Sequence, residues 1–190
     1  AANNPTLYAV AAGTVTFHVR AGDAARRGQP LAEIASPELS SQLAQQRAVM
    51  AGLETEVERA ELGVEQGRAN ARKLIDEAQL DRQTASREEE RYRLGYSERL
   101  VPELDLLRAE DNLRKSKIRL EHAQSDRLLL ERALVFELRT RRLALERQRA
   151  VVSELERQVE ALTIRSPVDG QVGQLLVDQS ANVPVNAPVL

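Results

Sequence analysis

Apolar and polar positions alternate with a period of two at both ends of this chain, and about 130 residues of heptad pattern lie between them. The N-terminal stretch runs Ala11-Ala12-Gly13-Thr14-Val15-Thr16-Phe17-His18-Val19, followed by Gly22-Asp23 and Gly28-Gln29-Pro30-Leu31. The C-terminal stretch runs Asp169-Gly170-Gln171-Val172-Gly173-Gln174-Leu175-Leu176-Val177, followed by Ser180 and Asn186-Ala187-Pro188-Val189. Each reads as short strands separated by turn residues, so together they predict two halves of one small β-domain interrupted by a long insertion. The halves also match in kind: Gly13-x-Val15 with Gly170-x-Val172, Gly22 with Ser180, Gly28 with Asn186, and Pro30-Leu31 with Pro188-Val189. Glycine serves backbone positions of positive φ and asparagine tolerates them, so Gly28 and Asn186 are expected to do the same work.

From Pro37 the period changes to seven. Leu39, Leu43, Met50, Leu53, Val57, Ala60, Val64, Ala71, Leu74, Ala78, Ala85 and Tyr92 form one seam on one helix face. Ser36 suits the N-cap, Pro37 the first helical position and Glu38 the first turn, while Gly95 suits the left-handed residue that closes a helix. A second helix opens at Pro102-Glu103. Its seam is Leu106, Ala109, Leu113, Ser116, Leu120, Ala123, Arg127, Leu130 and Leu134, then Leu145, Gln148, Val152, Leu155, Val159 and Leu162. Between Leu134 and Leu145 the register is ambiguous, because Leu128, Leu129, Val135, Phe136, Leu138 and Leu143 lie on more than one face, which fits a stutter or a widened apolar face.

The two arms are about 60 residues each, on the order of 90 Å at 1.5 Å per residue. Equal arms joined by about seven residues predict an antiparallel pair that returns the β-halves to each other. The expected fold class is α+β: a long antiparallel two-helix coiled-coil hairpin inserted in a split β-domain. Its expected division is 1–36 for the first β-half, 37–162 for the hairpin with its tip near 95–101, and 163–190 for the second β-half. Alanine at many seam positions permits close helix approach but buries little area per layer. Gly52, Gly63 and Gly67 each cost about 1 kcal/mol against alanine in a helix interior. The dense Arg and Glu pattern reads as a solvated face with i,i+4 pairs, or as a face that packs against neighbouring copies.

Composition narrows the function. Two Phe, three Tyr and no Trp among 190 residues supply too little bulky side chain for one large globular core. A net charge of −2 lacks the basic excess of a nucleic-acid binder. No cysteine, one Met (Met50) and two His far apart (His18, His122) argue against a thiolate or soft-metal site. No stretch approaches the roughly 18 apolar residues of a membrane span, and the N-terminus does not read as a signal peptide. The expectation is a soluble piece from which targeting or anchoring segments are missing. No Gly-rich phosphate loop, Ser/His/Asp order or metal-ligand spacing appears, so an enzyme is not expected.

The run Leu162-Thr163-Ile164-Arg165-Ser166-Pro167-Val168-Asp169-Gly170-Gln171-Val172, with its apolar-Pro-x-x-Gly signature, closely resembles the strand that leaves the hairpin in periplasmic adaptor proteins. Gly22-Asp23 through Leu31-Ala32-Glu33-Ile34 resembles the strand pair that leads into it. In this HlyD-like, or membrane fusion protein, family a biotinyl/lipoyl-like β-domain is split by a helical hairpin, and the resemblance covers nearly the whole chain. It implies a periplasmic adaptor of a Gram-negative bacterium, its parent anchored to the inner membrane, with a β-barrel and a membrane-proximal domain flanking the segment. Implied partners are an inner-membrane transporter (RND favoured on hairpin length, or ABC), a TolC-like outer-membrane channel, and further copies of the chain, six in the assembled pump. The exported substrate is not readable from the residues.

A true biotin or lipoate carrier needs a lysine at an exposed β-hairpin, whereas Lys73, Lys115 and Lys117 all fall in helical runs, so no cofactor is expected. The competing reading, a structural or scaffolding coiled coil, explains the helices but not the flanking pseudo-repeat. The resemblance places channel docking at the hairpin tip, Arg91, Tyr92, Gly95, Tyr96, Ser97, Glu98, Arg99, Leu100, Val101 and Pro102, a mixed apolar and charged set suited to a small interface. Many members of the family it resembles carry Arg, Leu and Ser there, spaced by four and then seven. Starting from Arg91 this chain offers Gly95 and Pro102, so only the arginine matches and docking through Leu100-Val101 is the alternative.

Overall fold

The computed structural model describes residues 5–190. The elements are β1 (Gly13–Phe17), β2 (Ala24–Ala25), β3 (Pro30–Ala35), α1 (Pro37–Ser97), α2 (Glu103–Glu160), β4 (Thr163–Arg165), β5 (Gly170–Gln171) and β6 (Asn182–Val183). Two compact bodies result. One holds the residues up to Leu53 together with Leu145–Leu190, the other Glu54–Ala144.

In the first body the two ends of the chain are interleaved. A four-stranded sheet has the order β4-β3-β1-β6, and β2 pairs with β5. All pairings are antiparallel, and only β1 with β3 joins strands from the same half. Alternation along β1 and β3 turns Val15, Ala32 and Ile34 inward, against Ile164, Val183 and Val189 from the other half. Val15, Ile34 and Val189 are the largest side chains that are fully buried. Neither half can bury these groups alone. Val19, Ala25, Leu31 and Val172 form a second small cluster, again drawn from both halves.

The pseudo-repeat is a structural near two-fold. Gly22 N–H donates to Val172 O at 2.8 Å, and the matching Ser180 N–H donates to Val15 O at 2.9 Å. His18 N–H to Leu31 O is repeated by Leu176 N–H to Val189 O, both 2.9 Å. Gly28 and Ser166 exchange bonds with Ser166 and Gln29 as Asn186 and Ala9 do with Ala9 and Ala187. The backbone follows: φ is 82° at Gly28 and 62° at Asn186, 91° at Gly22 and 63° at Ser180. Asn186 and Ser180 therefore hold left-handed positions that glycine holds in the first half.

The helix start is as the sequence reads it, with Ser40 N–H donating to Ser36 O at 3.1 Å. The least exposed line of α1 runs Leu39, Leu43, Gln46, Met50, Leu53, Val57, Ala60, Val64, Gly67, Ala71, Ile75, Ala78, Arg82, Ala85, Glu89 and Tyr92. Its steps alternate three and four except at Gly67-Ala71-Ile75, where two fours follow each other. That is a stutter, and it puts Ile75 in the seam in place of the expected Leu74, which is exposed. On α2 the corresponding double step falls at Leu130-Leu134-Leu138, resolving the ambiguous stretch as a stutter as well. The expected seam positions Arg127 and Leu130 are exposed there. The two stutters sit at the same level: a Cβ on Gly67 would collide with Leu134 Cδ1. Interhelical pairs fix the register in the second body, Arg141 with Glu56 and Arg142 with Glu61 at 2.6 Å and Arg68 with Glu131 at 2.8 Å.

The three mid-helix glycines are thus unequal. Nothing lies within 4 Å of a Cβ on Gly52 or Gly63. Gly52→Ala and Gly63→Ala are each expected to stabilise the helices by about 0.5–1 kcal/mol. Gly67→Ala should gain nothing, because Leu134 must leave its place. Thermal unfolding of the three variants followed by far-UV circular dichroism separates them, and an equal gain at all three positions would contradict the packing at Gly67.

Candidate functional site

The tip closes differently from the expectation. Gly95 is not the left-handed residue that ends α1; the helix continues to Ser97, and Arg99 takes φ 61°. Leu100 N–H donates to Gly95 O at 2.7 Å and Arg99 N–H to Tyr96 O at 2.9 Å, the pair of bonds of a Schellman cap with arginine at its left-handed position. The connection is therefore 98–102, shorter than the seven residues expected. Gly95 serves packing instead: a Cβ there would lie 3.2 Å from Val101 Cγ1, so its absence lets Val101 settle on α1.

Below the cap the tip is braced by charge. Glu89 occupies a seam position and is buried at 6% exposure, bound by Arg93, whose guanidinium also lies 3.6 Å from Glu110 across the seam. A buried carboxylate requires such a partner, and here the same arginine ties the two helices together. Ser97 Oγ donates to Leu94 O at 2.7 Å. Arg91 stands 5.6 Å from the ring centroid of Tyr92, whose ring is half-buried in the seam, and reaches Glu88 at 3.7 Å.

Of the residues assigned to docking, Arg91, Tyr96, Ser97, Glu98, Arg99, Leu100 and Pro102 are exposed, with Leu100 the most open apolar residue at 73%. Gly95, Val101 and Tyr92 are partly covered and shape the tip from within. Sequence reasoning missed three exposed leucines, Leu94, Leu104 and Leu107. The signal was available, because each lies within two turns of the loop at a position the seam does not use. Together with Tyr96 and Leu100 they make the tip markedly apolar. Among the described residues no cluster of His, Cys, Asp and Glu could hold a metal ion, and no helix is long and apolar enough to cross a membrane. Lys73 lies on α1 and Lys115 and Lys117 on α2.

The fold of this chain, a β-unit drawn from both chain ends with a long helical hairpin inserted, is similar to that of two solved proteins. The periplasmic adaptor EmrA aligns with 97% of this chain and 70% of its own, at 14% identity and a TM-score of 0.50. MacA from Actinobacillus actinomycetemcomitans aligns with 100% of this chain and 48% of its own, at 18% identity and a TM-score of 0.57. The chain thus spans about half the length of that relative. No protein-family model and no curated protein matches the sequence.

Proposed function

We propose that this chain is the hairpin and lipoyl-like portion of a periplasmic adaptor that joins an inner-membrane transporter to a TolC-like outer-membrane channel. What carries the reading is the interleaved β-unit, which a plain scaffolding coiled coil leaves without a role. In this reading residues 1–36 and 163–190 form the lipoyl-like domain and 37–162 the hairpin. Copies associate in a ring, six in the assembled pump, and the parent protein is anchored to the inner membrane of a Gram-negative bacterium. The transporter is of the RND type, with an ABC exporter the second choice. The work is geometric, with no catalytic step, cofactor or nucleic acid.

The tip is the channel contact. Leu100 supplies the exposed apolar anchor and Arg91 the flanking charge, with Leu94, Tyr96 and Leu104 widening the patch. An interface of this size concentrates its energy in a few side chains, so Leu100→Asp should cost about 2 kcal/mol of docking, roughly thirtyfold in affinity. The expected result for R91D and L100D in the full-length protein is a matching loss of export of the parent system's substrate at unchanged adaptor level. Unchanged export at normal protein level overturns the docking assignment.

A further inference from the structure

Three of the six ambiguous apolar residues of α2, Leu129, Phe136 and Leu143, fall on one exposed line. Ile118, His122, Ser125, Leu129, Arg132, Phe136, Arg139 and Leu143 step by four and three throughout, and all are exposed. Phe136 lies two residues beyond the seam residue Leu134, about 200° around the helix, so this second stripe faces away from α1. At its centre Phe136, 70% exposed, is flanked by Arg132 and Arg139. On α1, Leu62 lies two residues beyond the seam residue Ala60, is 53% exposed, and is flanked by Glu58 and Glu65. The spacing is the same in both sets, one charge four residues before the apolar residue and one three residues after it. None of these four charged groups forms an ion pair among the described residues.

The two sets also stand level. Starting from the Glu56–Arg141 pair, two residues along α1 and two back along α2 give Glu58 and Arg139. Nine and nine give Glu65 and Arg132, three residues short of Arg68 and one short of Glu131, which form another interhelical ion pair. One edge of the hairpin thus carries an apolar residue between two cations. The other carries, at the same height, an apolar residue between two anions in antiparallel order.

We infer that these edges are the two sides of one interface between copies of this chain, Phe136 of one copy seated on Leu62 of the next with Arg132 and Arg139 against Glu65 and Glu58. The patch cannot pair with itself, because two α2 edges would oppose four arginines. The contact is therefore heterologous, and each copy uses both edges, which produces a ring if the rotation closes and a filament if it does not. The inference rests on the proposed self-association and names its surface; it does not depend on what the assembly transports.

The test uses R132E/R139E, E58R/E65R and their mixture, followed by sedimentation velocity over a concentration series, with circular dichroism to verify folding. Each double variant alone opposes like charges at every contact and should stay monomeric where the wild type associates. The mixture restores opposite charges at both kinds of contact and should associate as the wild type does. Because the chain has no cysteine, L62C mixed with F136C supplies a second reading for weak association. Oxidation should join 62 to 136 in preference to either residue with itself. Association of both double variants at the wild-type level overturns the surface while leaving self-association standing. A wild type that remains monomeric and a mixture without preferential 62–136 linkage overturn both.

Discussion

Gly13→Ala is expected to destabilise the β-unit by about 3 kcal/mol, at the upper end of what overpacking a core costs. The added Cβ would overlap Ala35 O and lie 2.8 Å from Ile34 Cγ2. The first of these is backbone, held in the β1–β3 ladder through Thr14 and Ala35, so it cannot rotate away as a side-chain tip could. Gly13 also faces Val183 on β6, which closes the other side of the strand. Gly170 occupies the equivalent place in the second half, yet nothing lies within 4 Å of a Cβ there. Gly170→Ala should therefore leave stability within about 0.5 kcal/mol of the wild type. Denaturant unfolding of the two variants, with amide exchange read at β1 and β3, compares one substitution at two pseudo-equivalent positions. Equal effects would mean that close packing at Gly13 is not what the glycine provides.

Ile34→Ala should cost about 3–4 kcal/mol, since Ile34 is 1% exposed at the centre of the larger cluster and the cavity it leaves is walled by both halves. The location of the loss is the more informative readout. Ile34 belongs to β3, but Ile164, Val183 and Val189 share its cluster from the far end of the sequence. Amides of Ile164 and Val183 should lose protection in step with that of Val15. Loosening confined to β1 and β3 would show that the two halves are separate cooperative units, contrary to the shared core.

The fold was legible because three kinds of signal agreed. Period-two runs gave strands, period-seven runs gave helices, and the matched turn residues joined the ends; Gly28 and Asn186 do adopt the same left-handed backbone. What was not legible came from places where two local rules compete. Leu74 is more apolar by type than anything a strict heptad would put beside it, but the stutter at Ala71 hands the seam to Ile75, and only the fit of Gly67 against Leu134 explains why the step occurs there. Gly95 looked like a helix end because glycine is the usual left-handed residue, yet Val101 needs its missing Cβ more than the cap does, and Arg99 accepts the strained φ. At the tip, attention to the loop hid Leu94, Leu104 and Leu107, although their off-seam positions already marked them as exposed. Glu89 was hidden likewise, since its burial is tolerable only because Arg93 lies one turn away.

The pairing of β3 with β4 places Glu33 opposite Thr163, so the two ends of the inserted segment leave the sheet as neighbouring strands of an ordinary hairpin. To the β-unit, then, the insertion is only a turn, and its length is a free variable. Adding or deleting seven residues in each arm changes the length of both helices by about 10 Å and keeps the seam in phase, provided the alteration lies wholly on one side of the aligned stutters. A change made in one arm alone would slide Gly67 from beneath Leu134 and part Glu56 from Arg141.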